Sequence, residues 1–514
     1  MSEPATPRDE LDALLRRRAL TEDAARPDAV AQRHERGGRT ARENVEDLID
    51  PGSWVEYGRF AIAAQRARRT EEDLIERTPA DGLVAGTARI GGVPCAVLAY
   101  DYTVLAGTQG MLGHAKKDRL FELIERMKLP VVFFAEGGGG RPGDTDFPAV
   151  SWLHTRAFAF WARLSGKVPR IAIVNGRCFA GNAVIAGCSD LIVATRGASL
   201  GMGGPAMIAG GGLGAVAPDD VGPMSMQEPN GVVDVVVEDE AEAVAVTKRL
   251  LGCFTVPSAG DYATPDQDKL IDLLPDSGRR AYNVVPVIEG LCDEGSVTVL
   301  RPRFAPEMVT ALARIEGRPV GIIANNTKYH AGTITAAASD KAARFLQLCD
   351  AFGVAIVSLV DTPGFMVGPK HEATGLVRHT SRLLVAGAAL GVPFIAVVLR
   401  RGYGLGAQAM VGGSLHEPLL TLAWPTAHLG PMGLEGAVRL GLRSELEAIE
   451  DEAERELRVR ELTAAAQVNA AAINAATFFE LDDVIDPAQT RGLIAATLVA
   501  AGRPEPSGRF VDPW

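Results

Sequence analysis

Cysteine is scarce in this sequence: six residues in 514 (Cys95, Cys178, Cys188, Cys253, Cys292 and Cys349), with no C-x-x-C pair among them. That excludes a zinc ribbon and a disulfide framework, and no metal site is expected; reduced thiols in a cytoplasm fit the pattern. Positive charge is also in short supply. The 52 Lys and Arg against 64 Asp and Glu leave a formal net charge of −12, which argues against a nucleic-acid partner, because phosphate binding needs concentrated Lys and Arg. An anionic ligand must then be met by local basic groups or by backbone N–H donors. Aromatic residues make up only 6% of the chain. No run approaches about 18 uncharged apolar residues, and Met1 to Leu20 carries Glu, Asp and Arg without an apolar core, so neither a membrane span nor an export signal is expected.

What the sequence does have is an internal repeat. Val168-Pro-Arg-Ile-Ala-Ile-Val-Asn-Gly-Arg-Cys-Phe-Ala-Gly-Asn-Ala183 returns as Val392-Pro-Phe-Ile-Ala-Val-Val-Leu-Arg-Arg-Gly-Tyr-Gly-Leu-Gly-Ala407, with the same separation at both ends. Arg89-Ile-Gly-Gly-Val-Pro94 with Ala106-Gly107 returns, again at a constant separation, as Arg314-Ile-Glu-Gly-Arg-Pro319 with Ala331-Gly332. Two matches at nearly one offset indicate a duplicated α/β domain. The expected organisation is a helical lead-in over 1–35, a first domain over 36–255, a linker over 256–285 and a second domain over 286–514.

Within that frame, Thr40 and Glu43 form a capping-box pattern. Gly82–Ile90 and Val93–Tyr100 read as strands joined by Gly91-Gly92. Met111–Met127 reads as a helix, Val131–Glu136 as a buried strand, and Trp152–Leu164 as a helix. The loop Gly137-Gly-Gly-Gly-Arg-Pro-Gly143 is not a phosphate loop, because no Gly-Lys-Ser/Thr follows it. In the second half, strands are expected around Ile315–Ala324, Ala355–Val360 and Phe394–Leu399. Helices are expected over Asp340–Phe352, Leu376–Leu390 and Glu445–Arg460. Strand, glycine turn and helix recurring in both halves imply a mainly parallel sheet with helical crossovers. His330, His371 and His379 read as structural.

The chemistry is expected at the two repeated turns, Ala180-Gly-Asn-Ala183 and Gly404-Leu-Gly-Ala407. A glycine turn between a buried strand and a helix leaves backbone N–H groups free to meet developing negative charge. One such turn alone would be ordinary helix–sheet packing. Two of them, each preceded by a strand ending in a carboxylate (Glu136, Asp361), favour a pair of oxyanion holes.

Asp361-x-Pro-Gly-Phe-x-x-Gly368, Arg378-His379, Lys341-Ala-Ala-Arg-Phe345, Ala423-Trp-Pro-Thr426 with Met432-Gly433, and Asp482-Asp-Val-Ile-Asp-Pro487 carry a resemblance. With Gly138, Gly139 and Arg141 in the first half, the chain resembles the carboxyltransferase (β) subunits of biotin-dependent acyl-CoA carboxylases of the propionyl-CoA and methylcrotonoyl-CoA type. The resemblance covers roughly residues 35–505. It implies an α/β fold of two duplicated crotonase-like (ClpP-like) domains, acyl-CoA bound by the first and biotin by the second. It also implies a homo-hexamer with its site between domains of facing subunits. CO2 would pass from carboxybiotin on a partner carrier domain to the α-carbon of an acyl-CoA, and the biotin ureido group can itself take the α-proton.

Carried onto this sequence, the N–H groups of Gly181 and Asn182 would hold the thioester oxygen and those of Leu405 and Gly406 the biotin oxygen. Gly138, Gly139, Arg141, Ala180, Gly204 and Gln408 would contact the acyl-CoA, Gln408 setting chain length; Gly364, Phe365, Tyr403 and Gly404 would contact biotin. Asn182 stands where the family has the second glycine of Ala-Gly-Gly-Ala, which is expected to place a side chain near the acyl thioester. The sequence shows neither an ATP-binding domain nor an Ala-Met-Lys-Met carrier, so a biotin carboxylase and carrier subunit is an expected partner. Two other readings use the same fold: a biotin-dependent acyl-CoA decarboxylase, and a biotin-free hydratase or hydrolase with Glu136 or Asp361 as base.

Overall fold

The hairpin that opens each half shows how closely the two halves repeat. In a computed structural model that describes residues 6–148, 150–254, 262–278 and 280–514, Leu83–Ile90 pairs antiparallel with Val93–Tyr100 across Gly91 and Gly92, both at positive φ. Two consecutive left-handed residues give the turn whose twist matches that of the strands. Met308–Ile315 and Arg318–Asn325 form the same hairpin at the repeat offset, with Glu316 and Gly317 at positive φ.

The chain divides between residues 255 and 256 into two compact units. Among the described residues, the strands of the first are β1 (Val55–Glu56), β2 (Leu83–Ile90), β3 (Val93–Tyr100), β4 (Val131–Phe134), β5 (Arg170–Val174), β6 (Arg177–Phe179), β7 (Leu191–Thr195), β8 (Ser199–Gly201) and β9 (Val235–Val237). Their main sheet runs β1-β2-β3-β4-β5-β7-β9, parallel from β3 onward, and β6 pairs with β8 apart from it. The second unit holds β10 (Thr298–Leu300), β11 (Met308–Ile315), β12 (Arg318–Asn325), β13 (Ala355–Thr362), β14 (Phe394–Tyr403), β15 (Leu420–Ala423), β16 (His428–Gly430) and β17 (Asp483–Val484). Its order is β10-β11-β12-β13-β14-β15-β17, with β16 on β14. Even the register repeats: Ala96 opposite Val131 in the first unit becomes Gly321 opposite Ile356 in the second, both partners displaced equally along the chain.

Helices cover these sheets, and each unit encloses its own apolar core. Leu98, Phe133, Ile124 and Trp161 are among the buried members of the first, and Ile322, Val357, Val397 and Trp424 of the second. Each such side chain contributes about 1.5–3 kcal/mol on leaving water. The 17-residue helices Met111–Met127 and Ala336–Phe352 correspond at the same offset as the hairpins. Among the described residues no helix is long and apolar enough to cross a membrane.

Several elements depart from expectation for local reasons. The expected lead-in helix is two helices, Pro7–Ala19 and Pro27–Glu35, the second opening on Pro27, whose missing N–H costs nothing at a first helical position; residues 1–5 lie outside the described residues. The helix expected over Trp152–Leu164 forms only at Ala157–Arg163, since Trp152 takes a left-handed φ of 59°. The helix expected over Glu445–Arg460 is broken into Arg443–Glu447 and Glu452–Asn469, where the Asp451 side chain caps Glu454 N–H at 2.8 Å. Parts of the expected linker, 256–261 and 279, lie outside the described residues. Elsewhere in it Leu270, Leu274 and Val284 are buried in the second core.

Candidate active site

In the first unit, β6 delivers the chain to Ala180, which is forced to φ 50° and ψ −121° at the start of helix Gly181–Gly187. A non-glycine residue held this way stores about 1–3 kcal/mol and persists only when its surroundings impose it. The loop after β4 imposes it. Gly137 N–H donates to Arg177 O at 2.7 Å and Phe179 N–H to Gly137 O at 2.9 Å. Gly139 passes so close that a Cβ there would lie 2.7 Å from Ala180 Cβ. Gly138 N–H donates to Ala106 O, and Ala106 itself has a φ of 55°. The N–H groups of Gly181 and Asn182 begin the helix and have no acceptor four residues back within it. Gly204 opens the short helix Pro205–Gly210, and its Cα faces the Phe179 ring.

Arg141, expected at the acyl-CoA, is buried and committed to this loop. Its guanidinium pairs with Asp81 and donates to Thr108 O at 2.8 Å and Thr108 Oγ1 at 3.1 Å. What it supplies in this chain is the shape of the glycine loop.

The Asn182 side chain, expected near the acyl thioester, has its hydrogen-bond partners within the first unit. It is fully buried and turned into the protein. Its Nδ2 donates to Glu136 O at 3.0 Å and Gly107 O at 3.3 Å, while its Oδ1 accepts from Gln109 Nε2 at 3.0 Å. Gln109 Oε1 in turn accepts from Lys117 Nζ at 2.8 Å. Burial, partly offset by Asp118 and Asp81, lowers the Lys117 ammonium from 10.5 to about 7.

The second unit repeats the turn with glycine in the strained place: Gly404 has φ 60° and starts helix Gly404–Met410. Gly406 lies against the Gly364 backbone, where a Cβ would fall 2.6 Å from Gly364 C. Gly364 O accepts from Ile334 N–H at 3.1 Å, and Ile334 pairs with Phe365 in a single bridge. Tyr403 is buried as the last residue of β14, and Leu405 is exposed. A cavity of about 760 Å³ opens beside this turn, lined in part by Gly404, Leu405, Gln408, Leu429 and Phe478.

The two carboxylates flanking the turns are both spent on ion pairs. Glu136 is bidentate to Arg33 at 2.8 and 2.7 Å. Asp361, fully buried, meets Arg400 Nε at 2.7 Å and Arg401 Nε at 2.8 Å. Arginine thus holds both carboxylates, and burial still pushes the Glu136 carboxyl above the usual carboxylate range, with Arg33 offsetting part of that rise. No sequence pattern pointed to Arg33, which stands far from Glu136 along the chain. The sequence reading named Lys341 only within the motifs of the resemblance and missed its repeat partner Lys116, although the repeat aligns the two buried lysines. Lys116 Nζ donates to Ala80 O, and Lys341 Nζ, at the corresponding place in the second unit, donates to Arg301 O and Phe304 O, each near left-handed residues.

Residues 32–505 match the carboxyl transferase domain family. The methylmalonyl-CoA carboxyltransferase 12S subunit of Propionibacterium freudenreichii subsp. shermanii is 34% identical over 504 residues, spanning 95% of this chain and 93% of that one. A solved transcarboxylase 12S hexamer, determined with methylmalonyl-coenzyme A, superposes with a TM-score of 0.85 at 31% identity over 99% of this chain and 98% of that one. A single-chain, multi-domain long-chain acyl-CoA carboxylase superposes with a TM-score of 0.92 at 53% identity over 96% of this chain; the present chain spans about half of it, 49%. The fold is crotonase-like. With two duplicated units, paired turns and a family match over nearly its whole length, this chain belongs to the carboxyltransferases, the transferase subunits of acyl-CoA carboxylases.

Proposed function

We propose that this chain carries carboxyl groups between carboxybiotin, held on a partner's carrier domain, and the α-carbon of an acyl-CoA, and that it works as a homo-hexamer. The observation that carries the reading is the duplicated turn, in which Ala180 and Gly404 take φ of 50° and 60° at corresponding places and free the N–H groups that follow. Preorganised donors aimed at developing charge are the largest single catalytic contribution in reactions of this type.

On the acyl side, the N–H groups of Gly181 and Asn182 donate to the thioester oxygen as the α-carbon loses its proton. Ala180, Gly204 and the Gly138–Arg141 loop shape that wall. On the other side, the cavity beside Gly404 is roomy enough for a small bicyclic ring, and Gly364, Phe365 and Tyr403 border its turn. Biotin supplies the carboxyl group on a ring nitrogen and an acceptor for the α-proton. Leu405 and Gly406 N–H groups meet its ureido oxygen, and Gln408, on the same cavity, limits the length of the acyl chain.

The test uses purified protein with free biotin and a panel of malonyl-, methylmalonyl- and longer carboxyacyl-CoAs. Biotin-dependent loss of the carboxyl group is expected, and the best substrate names the acyl pocket. Binding of every acyl-CoA without turnover would defeat the reading.

A further inference from the structure

We infer that the side chain of Asn182, held by Gln109 and Lys117, is a positioning residue that sets the acyl-side N–H groups for transfer. This rests on the assignment of Gly181 and Asn182 N–H to the thioester oxygen.

Three backbone segments must be fixed to hold the turn at Ala180, namely the tight turn ending at Gly107, the glycine loop leaving Glu136, and the start of helix Gly181–Gly187. They meet with no room to spare. A Cβ on Gly107 would lie 2.8 Å from Glu136 O, and one on Gly137 would lie 2.1 Å from Gly107 O and 2.6 Å from Asn182 Nδ2. Both carbonyls face the amide of Asn182, which bridges them (3.0 and 3.3 Å) from within the turn itself.

Gln109 closes the arrangement from the other side. Its amide donates to Asn182 Oδ1, and the same nitrogen lies 2.9 Å from where a Gly181 Cβ would stand, so it bears on both residues of the turn. Every link runs donor to acceptor in one direction, from Lys117 Nζ to Gln109 Oε1, from Gln109 Nε2 to Asn182 Oδ1, and from Asn182 Nδ2 to the two carbonyls. That order gives each amide one orientation only, and it holds whether Lys117 is protonated or not, since the amine donates in both forms.

The duplication supplies an internal control. At the corresponding places in the second unit stand Ile334, Ala342 and Gly406 in place of Gln109, Lys117 and Asn182. There Gly406 reaches its neighbour by direct backbone packing against Gly364. Both turns have close backbone contacts, and the first adds a buried chain of Lys117, Gln109 and Asn182 that the residues at the corresponding places in the second unit cannot form.

The test measures biotin-dependent decarboxylation of the preferred carboxyacyl-CoA by the full-length protein, with Asn182→Gly, Gln109→Leu and the double variant, alongside thermal melting. A displacement of about 1 Å in such a site costs about 100-fold, so each single variant is expected to lose about 10- to 100-fold in kcat. KM for acyl-CoA and for biotin should stay within about 3-fold of wild type. Because both changes cut one chain, the double variant should fall no further than the worse single one. Wild-type kcat in both single variants, a loss confined to KM, or losses that multiply would overturn the inference while leaving the proposed function standing. A wild-type protein that turns over no carboxyacyl-CoA would overturn both. Should Asn182→Gly fail to fold, Gln109→Leu decides by the same kcat criterion.

Discussion

Arg33 shows what a single side chain can organise without being visible in a motif. Its guanidinium lies between Glu136 and Glu240, at 2.7 and 3.3 Å, and its Nε donates to Arg39 O. Removing one partner from a buried ion cluster leaves the others uncompensated and typically costs about 3–5 kcal/mol. Arg33→Met should therefore lower the unfolding free energy measured by chemical denaturation by an amount in that range, whereas Arg36→Met, at an exposed position nearby, should change it little. Lys117 makes a pH prediction. Its folded pKa lies near 7, depressed from 10.5, so between those values the unfolded chain holds a proton that the folded chain does not. Stability linked to this group is then fully present above about 10.5 and is lost as pH falls toward 7. In urea titrations, the stability of wild type relative to Lys117→Met should rise from pH 7 to about 9.5, approaching about 1.4 kcal/mol per pH unit. A flat difference would contradict the depressed value.

At the scale of elements, the turns rather than the strands distinguish the two halves. The strands β2, β3, β4, β13 and β14 were legible because they are continuous apolar runs bounded by turn residues, and β13, Ala355–Thr362, is buried at every residue; shorter strands such as β6, β8 and β16 were not. Helix ends were less legible. The break at Asp451 and the late start at Ala157 depend on a cap and on a left-handed residue that the helical pattern of apolar residues does not reveal. Gly406 makes an element-level test of the second turn. Its Cα is pressed on Gly364, so Gly406→Ala must displace one backbone or the other. We expect about a 100-fold loss of biotin-dependent turnover with acyl-CoA affinity, measured by calorimetry, unchanged. Equal loss of both would mean that the substitution disturbs more than the second turn.

For the molecule as a whole, each unit has its own sheet and its own core, as a duplicated domain requires. The second unit also bears an extra helical segment between β16 and β17. It leaves Leu440, Leu457, Val468, Ile473, Phe478 and Phe479 exposed. The homo-hexamer proposed above needs an association face, and exposed apolar side chains of this kind suit one. Leu457, 56% exposed and outside the cavity beside Gly404, is the place to test it. Leu457→Asp should lower the sedimenting mass below that of wild type with circular dichroism unchanged, and an unaltered mass would place the contact elsewhere.

By itself the sequence determined the duplication, the α/β class, the two turns and the family, because each is written in local runs and fixed spacings. Strand periodicity, glycine at a left-handed turn and a repeat offset are properties of neighbours along the chain. Tertiary structure alone decided what the turns' side chains do. It turned Asn182 inward, spent Arg141 on Asp81 and the loop, and closed Glu136 on Arg33. Those outcomes depend on which distant carbonyl or charge lies within about 3 Å once the sheet has formed, and a buried polar group must take whatever partner the fold brings to it.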